Sequence, residues 1–355
     1  MRRARLLTLG AIAGWAVGPV GSRALLTAEG AVPSPRPLEV ALWAISAGWL
    51  LLFLVLAVRG RLSRLRDFAP RGWLVLLAMG FCGWAGYAGS LNIALARLSL
   101  PEAVLINYLH PVFTVIFQGA AFGAVVRLIS NWEDAPDLAP RPNVLQTASG
   151  LLLCLFGVAA VATRGHLGAF GELRSGAGVM AALFAAFAWG VYSNLGRFVA
   201  VKPGRRPSDM ADVQTFVAMT FGLLMLVAAL GPGGQLRAPS GYHVLLYLGA
   251  LGPFRASAWY VIAAMGLLLY CAGFTLWLVA LNLGRQAGEA HRLPPLTYLT
   301  PVLSVGLGWL LLHDAVGPGF WQGAALIAAG NLVIALRRAV PKAAEAAAET
   351  PRADH

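Results

Sequence analysis

Ten apolar runs divide this chain, at 5–27, 37–58, 72–96, 102–126, 144–163, 176–200, 210–231, 257–283, 289–312 and 319–337. Each approaches the about 20 residues that a helix needs to cross roughly 30 Å of hydrocarbon. Inside hydrocarbon a backbone must satisfy its own hydrogen bonds, so runs of this length and number read as helices in a bundle. The expectation is an all-α polytopic membrane protein with ten transmembrane helices. Only 12% of the residues are charged and 58% are hydrophobic, against roughly 25% charged in soluble domains. The first run follows Arg2, Arg3 and Arg5, yet it contains Trp15, Pro19 and Arg23 and offers no small-residue cleavage site. It reads as a retained first helix rather than a signal peptide.

The net charge of +12 could suggest nucleic acid, but the basic residues are scattered between apolar runs and form no polar domain. Topology accounts for them better. With a cytoplasmic N-terminus, 20 of the 27 Lys and Arg residues fall in cytoplasmic segments and 7 outside, as the positive-inside rule requires. Both termini are then cytoplasmic. The apolar segment 242–254 is too short for an eleventh span, which would also place Arg337, Arg338 and Lys342 outside; it reads as an interfacial or re-entrant piece. Cys82, Cys154 and Cys271 lie in apolar runs as small hydrophobes, and no metal-ligand spacing recurs.

An internal repeat is visible. Asn107-Tyr108-Leu109-His110-Pro111 is echoed by Thr297-Tyr298-Leu299-Thr300-Pro301, and proline in two matched apolar contexts points to a duplicated device. Trp15 precedes Arg23 by the spacing that separates Trp189 from Arg197. Gly150 and Gly157 match Gly323 and Gly330, and Ala94-Leu95 matches Ala280-Leu281. Five spans per half force opposite orientations, giving two inverted five-helix repeats. The expected division is a first repeat at 1–163, a connecting loop at 164–175, a second repeat at 176–338 and a polar cytoplasmic tail at 339–355. Inverted repeats typically hold a substrate near the midplane and alternate its access by rocking.

With these positions in order, the chain resembles the drug/metabolite transporter superfamily, and in particular its EamA-type members. Glu102 to Pro111 and Trp189 to Arg197 look closest to the YddG-like aromatic amino-acid exporter branch. That branch usually has tryptophan before the first proline, where this chain has His110. The resemblance implies a multi-pass protein of the bacterial inner membrane that exports amino acids, aromatic ones included, or related small metabolites. It also implies pocket aromatics at Tyr108 and Trp189.

Helical spacing supplies further candidates. Asn107, His110 and Pro111 share a face, with Tyr108 adjoining. Trp189, Tyr192 and Ser193 form an aromatic and polar stripe, as do Gly83, Tyr87 and Ser90; Trp15, Trp277, Tyr298 and Thr300 complete the expected substrate-binding set. For Trp15 and Trp277, packing or lipid contact competes equally. Pro111 and Pro301 are expected to distort their helices and free carbonyls for other partners. Arg23 and Arg197 read as snorkelling anchors. His110 is the sharpest residue, because an ionisable group deep in a span is costly. Near mid-span the runs carry no Asp or Glu, while Glu39, Glu102 and Glu289 lie at ends.

Drug or nucleoside-like efflux on the same fold is the alternative substrate reading. A membrane-embedded enzyme would need a nucleophile, paired acids or a metal cluster, and a channel would favour rings of carbonyls or charges. The expected partners are a small-molecule substrate and the lipid bilayer, with no nucleic acid, no cofactor and a monomeric chain.

Overall fold

The computed structural model describes residues 2–28, 35–117, 144–162, 175–204, 207–231, 243–247, 253–286, 296–297, 299–314, 316–317 and 319–335. Helices occupy each of the ten apolar runs. They are α1 (Arg2–Leu26), α2 (Pro37–Val58), α3 (Pro70–Gly80), α4 (Tyr87–Arg97), α5 (Leu100–Asn107), α6 (His110–Ile116) and α7 (Val144–Ala162). The later ones are α8 (Gly176–Leu195), α9 (Ala211–Leu230), α10 (Ala258–Ala264), α11 (Phe274–Gln286), α12 (Leu299–Leu312) and α13 (Phe320–Ala335). Six described helical stretches are long and apolar enough to cross a membrane, and three shorter apolar helices accompany them. The protein is a mostly helical, polytopic membrane protein.

One element departs from the all-α expectation. Within the apolar segment at 242–254, His243–Tyr247 forms a strand, β1, paired antiparallel with β2 (Pro253–Ser257). Pro253 cannot continue a helix, and strand pairing gives the backbone groups of this short stretch their partners. Val244 is buried. The hairpin leads directly into α10.

The third and eighth runs share a local peculiarity. A π-helical turn, Phe81–Gly86, joins α3 to α4, and a longer one, Met265–Gly273, joins α10 to α11. The offset that aligns Ala94-Leu95 with Ala280-Leu281 also aligns these turns, and it pairs Gly80 with Gly266 and Trp84 with Tyr270. Widened turns of this kind recur at functional positions, because the extra residue re-aims the side chains around it.

Packing follows the same correspondence. Gly222 of α9 lies against the Trp84 side chain and the Gly80 carbonyl, while Gly48 of α2 lies against the Tyr270 side chain and Gly266 against Ala47 and Gly48. The α7–α13 contact is built likewise: Gly157 faces Ile327 and the Gly323 carbonyl, and Gly330 faces Cys154 and the Gly150 carbonyl. Small residues let these backbones approach closely, which is how helices associate where no hydrophobic effect operates. The glycines that the sequence marks as repeated are thus the ones that meet.

Contacts also tie early and late elements at two opposite ends of the bundle. At one end the Arg23 side chain lies 3.3 Å from Asp314 and donates to the Leu95 carbonyl at 2.7 Å. Asp314 accepts in turn from the Leu100 amide at 3.2 Å. Arg23 is therefore engaged in an ion pair, a correction to its reading as a snorkelling anchor. At the other end Arg61 pairs with Asp212 at 2.7 Å and donates to the Asp209 carbonyl at 2.6 Å. Backbone bonds reinforce that contact, with Ala69 N donating to Ala200 O and Lys202 N to Asp67 O.

Candidate functional site

The centre of interest is the break between α5 and α6. Ser99 and Glu102 form a capping box that starts α5, with the Ser99 amide 2.9 Å from the Glu102 carboxylate. Glu39 plays a related role at the start of α2, accepting from the Arg36 amide at 2.9 Å and from its guanidinium. Both span-end carboxylates are thus committed to helix starts.

The α5 helix stops at Asn107, and His110–Ile116 begins anew. Pro111 consequently lies in the first turn of α6, where its missing N–H costs nothing. The sequence expectation of a kink within one helix becomes a helix end and a helix start. Leu109 N and Val112 N turn back to Ile106 O and Leu109 O, so the Tyr108 carbonyl is released from the ladder. Asn331 of α13 donates its amide to that carbonyl at 3.4 Å. Pro301 occupies the corresponding place near the start of α12, after Leu299 and Thr300.

Around this break most of the sequence-predicted aromatics converge. The Tyr108 and His110 rings lie 5.0 Å apart, and His110 meets Trp189 edge-on at 6.1 Å. Trp189 is the hub: its ring is 4.7 Å from Tyr87, 5.3 Å from Tyr192 and 5.9 Å from Phe274. Phe274 passes the contact to Trp15 at 5.9 Å, and Trp15 to Trp277 at 5.4 Å. The result is one continuous path of rings from α1 and α11 through α8 to the α5–α6 break. Tilted and edge-on arrangements of this sort suit the quadrupoles of aromatic rings.

Polar groups border the path. Asn107 Nδ2 lies 3.5 Å from the Tyr87 hydroxyl, and its Oδ1 is buried without a partner. The Trp15 and Trp84 indole N–H groups are also buried and unpartnered. Thr300, 2% exposed, adjoins Tyr108. Buried polar atoms are normally bonded, so several unpaired ones in one region mark a place where another group belongs.

One predicted residue, Ser193, stays apart from the path. Ser193 spends its hydroxyl on the Trp189 carbonyl at 2.7 Å, within its own helix. Tyr298 lies outside the described residues, as does the side chain of Arg197. Trp84, Phe274 and Tyr270 were missed. Trp84 contacts Phe274 at 5.2 Å and Tyr270 at 5.6 Å. Their signal in the sequence was the repeat offset, which places Tyr270 opposite Trp84. Asn331 carried no such signal, because its role depends on a carbonyl that only the broken helix exposes. Among the described residues, no group of three or more His, Cys, Asp or Glu residues could hold a metal ion.

Comparison with known proteins places this geometry in context. The model of the EamA-like transporter family matches residues 2–131 and 253–336. The chain is 25% identical over 308 residues to the aromatic amino acid exporter YddG of Escherichia coli (strain K12), covering 84% of this chain and 87% of that protein. It is 25% identical over 304 residues to the aromatic amino acid exporter YddG of Salmonella typhimurium (strain 14028s / SGSC 2262), covering 82% and 85%. A crystal structure of a protein 22% identical superposes with a TM-score of 0.53 over 93% of this chain and 95% of the other, a likeness of fold. With its family model spanning both the broken helix and the α12 proline, this chain belongs to the EamA-like transporter family.

Proposed function

We propose that this transporter moves amino acids, aromatic ones included, or related small metabolites across the bacterial inner membrane by alternating access, in the export direction. The observation that carries the reading is the ring path centred on Trp189 and ending at the unpartnered Asn107 Oδ1. A flat apolar side chain would interleave with Trp189, Tyr87 and Tyr108, while the substrate's ammonium or amide N–H would donate to Asn107 Oδ1. The similarity to aromatic amino acid exporters supports the same substrate class.

In this reading the chain comprises ten spans as two inverted five-helix repeats, 1–163 and 176–338, with both termini cytoplasmic. The paired contacts of Trp84 with Gly222 and Tyr270 with Gly48 support that symmetry. Arg23 with Asp314 and Arg61 with Asp212 then close opposite ends of one pathway. Alternating access requires that one closure open while the other holds. His110 and Thr300 precede the two matched prolines and differ chemically, so they set selectivity on the two sides of the break.

The test is a competition screen in proteoliposomes. Tryptophan, phenylalanine, leucine and a nucleoside would compete for flux, with Tyr108→Ala and Trp189→Ala as comparison variants. Preferential competition by the aromatic amino acids, lost in both variants while folded protein persists, is expected. Preferential competition by the nucleoside would move the reading to nucleoside-like efflux.

A further inference from the structure

A second site lies on the other side of Tyr108. A cavity of about 450 Å³ opens between α5, α12 and α13, within the range of small-ligand pockets. Its walls are apolar and include Trp309, Phe320 and Trp321, and Tyr108 and Asn331 stand in its lining. Trp309 is 62% exposed and Trp321 75% exposed, so in a bilayer this mouth faces lipid. Occupants therefore arrive from the hydrocarbon phase.

A crease filled by acyl chains would need no polar partner. Here Asn331, 2% exposed, donates its amide to the Tyr108 and Ile327 carbonyls and leaves Oδ1 buried with no donor. Behind this wall, on α12, Ser304 Oγ is likewise buried and unpartnered. An unsatisfied acceptor, Asn331 Oδ1, thus stands at the inner edge of an apolar groove. Each unpaired buried group costs about 1–3 kcal/mol, which an arriving donor would recover.

We propose that this groove binds a membrane-dissolved amphiphile, an apolar or aromatic body with one O–H or N–H donor, separately from the Trp189 ring path. The body lies against Trp309 and Phe320, and the donor reaches Asn331 Oδ1. Gly306 lines the same groove, and a Cβ added there meets nothing within 4 Å. A larger residue at 306 therefore fills the groove without disturbing the fold.

The probes are tritiated 1-naphthol and 1-methoxynaphthalene, which share a body and differ in the donor, bound to the full chain in phosphatidylcholine nanodiscs with empty discs subtracted. Wild type should bind 1-naphthol saturably at one per chain and the methoxy compound about tenfold more weakly. Asn331→Leu should erase that difference, Gly306→Leu should remove both, and Trp189→Ala should leave both unchanged. Non-saturable partitioning, equal affinity for the two probes in wild type, or 1-naphthol binding that survives Gly306→Leu would overturn the proposal in favour of a crease filled by lipid chains. Should Asn331→Leu fail to fold, Gly306→Leu decides the matter alone.

Discussion

Trp84 and Tyr270 occupy the same place in two π-helical turns, and their rings meet with centroids 5.6 Å apart. Each also covers a glycine of a helix distant in sequence, Trp84 over Gly222 and Tyr270 over Gly48. In the proposed arrangement of two inverted repeats, a contact between equivalent residues of this kind would lie on the axis that relates them. Gly157 against Gly323 and Gly330 against Gly150 repeat the pattern at the α7–α13 contact.

Close glycine packing should be intolerant of added atoms. A Cβ at Gly330 would stand 2.5 Å from the Gly150 carbonyl oxygen and 2.5 Å from Cys154 Sγ. Gly330→Val is expected to destabilise the protein by about 1–3 kcal/mol, as overpacking does. Thermal unfolding in detergent measures this, with Gly306→Val as the neutral comparison because its site is open. Equal melting of the two variants would show that the α7–α13 contact is looser than described.

Trp189 touches four rings of the path, Tyr87, His110, Tyr192 and Phe274. Trp189→Ala should raise the half-saturating tryptophan concentration about tenfold or more, because it removes a large aromatic contact surface. Trp189→Phe should stay within a few-fold of wild type. Flux assays on matched amounts of reconstituted protein distinguish the two, and an alanine variant with unchanged saturation would move the site elsewhere.

Much of this arrangement was legible in the sequence. Span length and a composition of 58% hydrophobic and 12% charged residues pointed to the membrane class, and the repeated glycines are residues that pack together. Seven of the expected site aromatics and imidazoles, Trp15, Tyr87, Tyr108, His110, Trp189, Tyr192 and Trp277, lie on one ring path. What escaped was tertiary. Asn331 matters because Val112 N turns to Leu109 O and abandons the Tyr108 carbonyl, and no single-span pattern encodes that. Arg23 looked like an interface anchor because its partner, Asp314, is far away in sequence. The hairpin at β1 and β2 was hidden by hydropathy, which does not distinguish a short apolar strand from a short helix.

The two end contacts should oppose one another. Asp314→Asn weakens the closure at the Arg23 end, and Asp212→Asn weakens the closure at the Arg61 end. In a background lacking Cys82, Cys154 and Cys271, Asn107→Cys should react faster with a membrane-impermeant thiol reagent from the Arg23 side in the first variant. The second variant should show the reverse. Identical labelling in both would mean that these pairs only support the loops around them.

His110 is the ionisable side chain of the ring path, and the end carboxylates Glu39 and Glu102 are held in helix caps. A proton-linked cycle through this imidazole would need water to reach the α5–α6 break. His110→Gln keeps a hydrogen-bonding side chain but cannot take up a proton. If His110 carries coupling, this variant should abolish the pH dependence of flux while leaving folded protein in the membrane. An unchanged profile would remove His110 from coupling.

The most direct measurement is counterflow of labelled tryptophan in proteoliposomes holding the purified chain. Alternating access at one central site predicts saturable uptake, accelerated by unlabelled tryptophan on the opposite side and half-saturated at about tenfold or more higher concentration in Trp189→Ala. Uptake that rises linearly with concentration and ignores the opposite side would contradict a single alternating site.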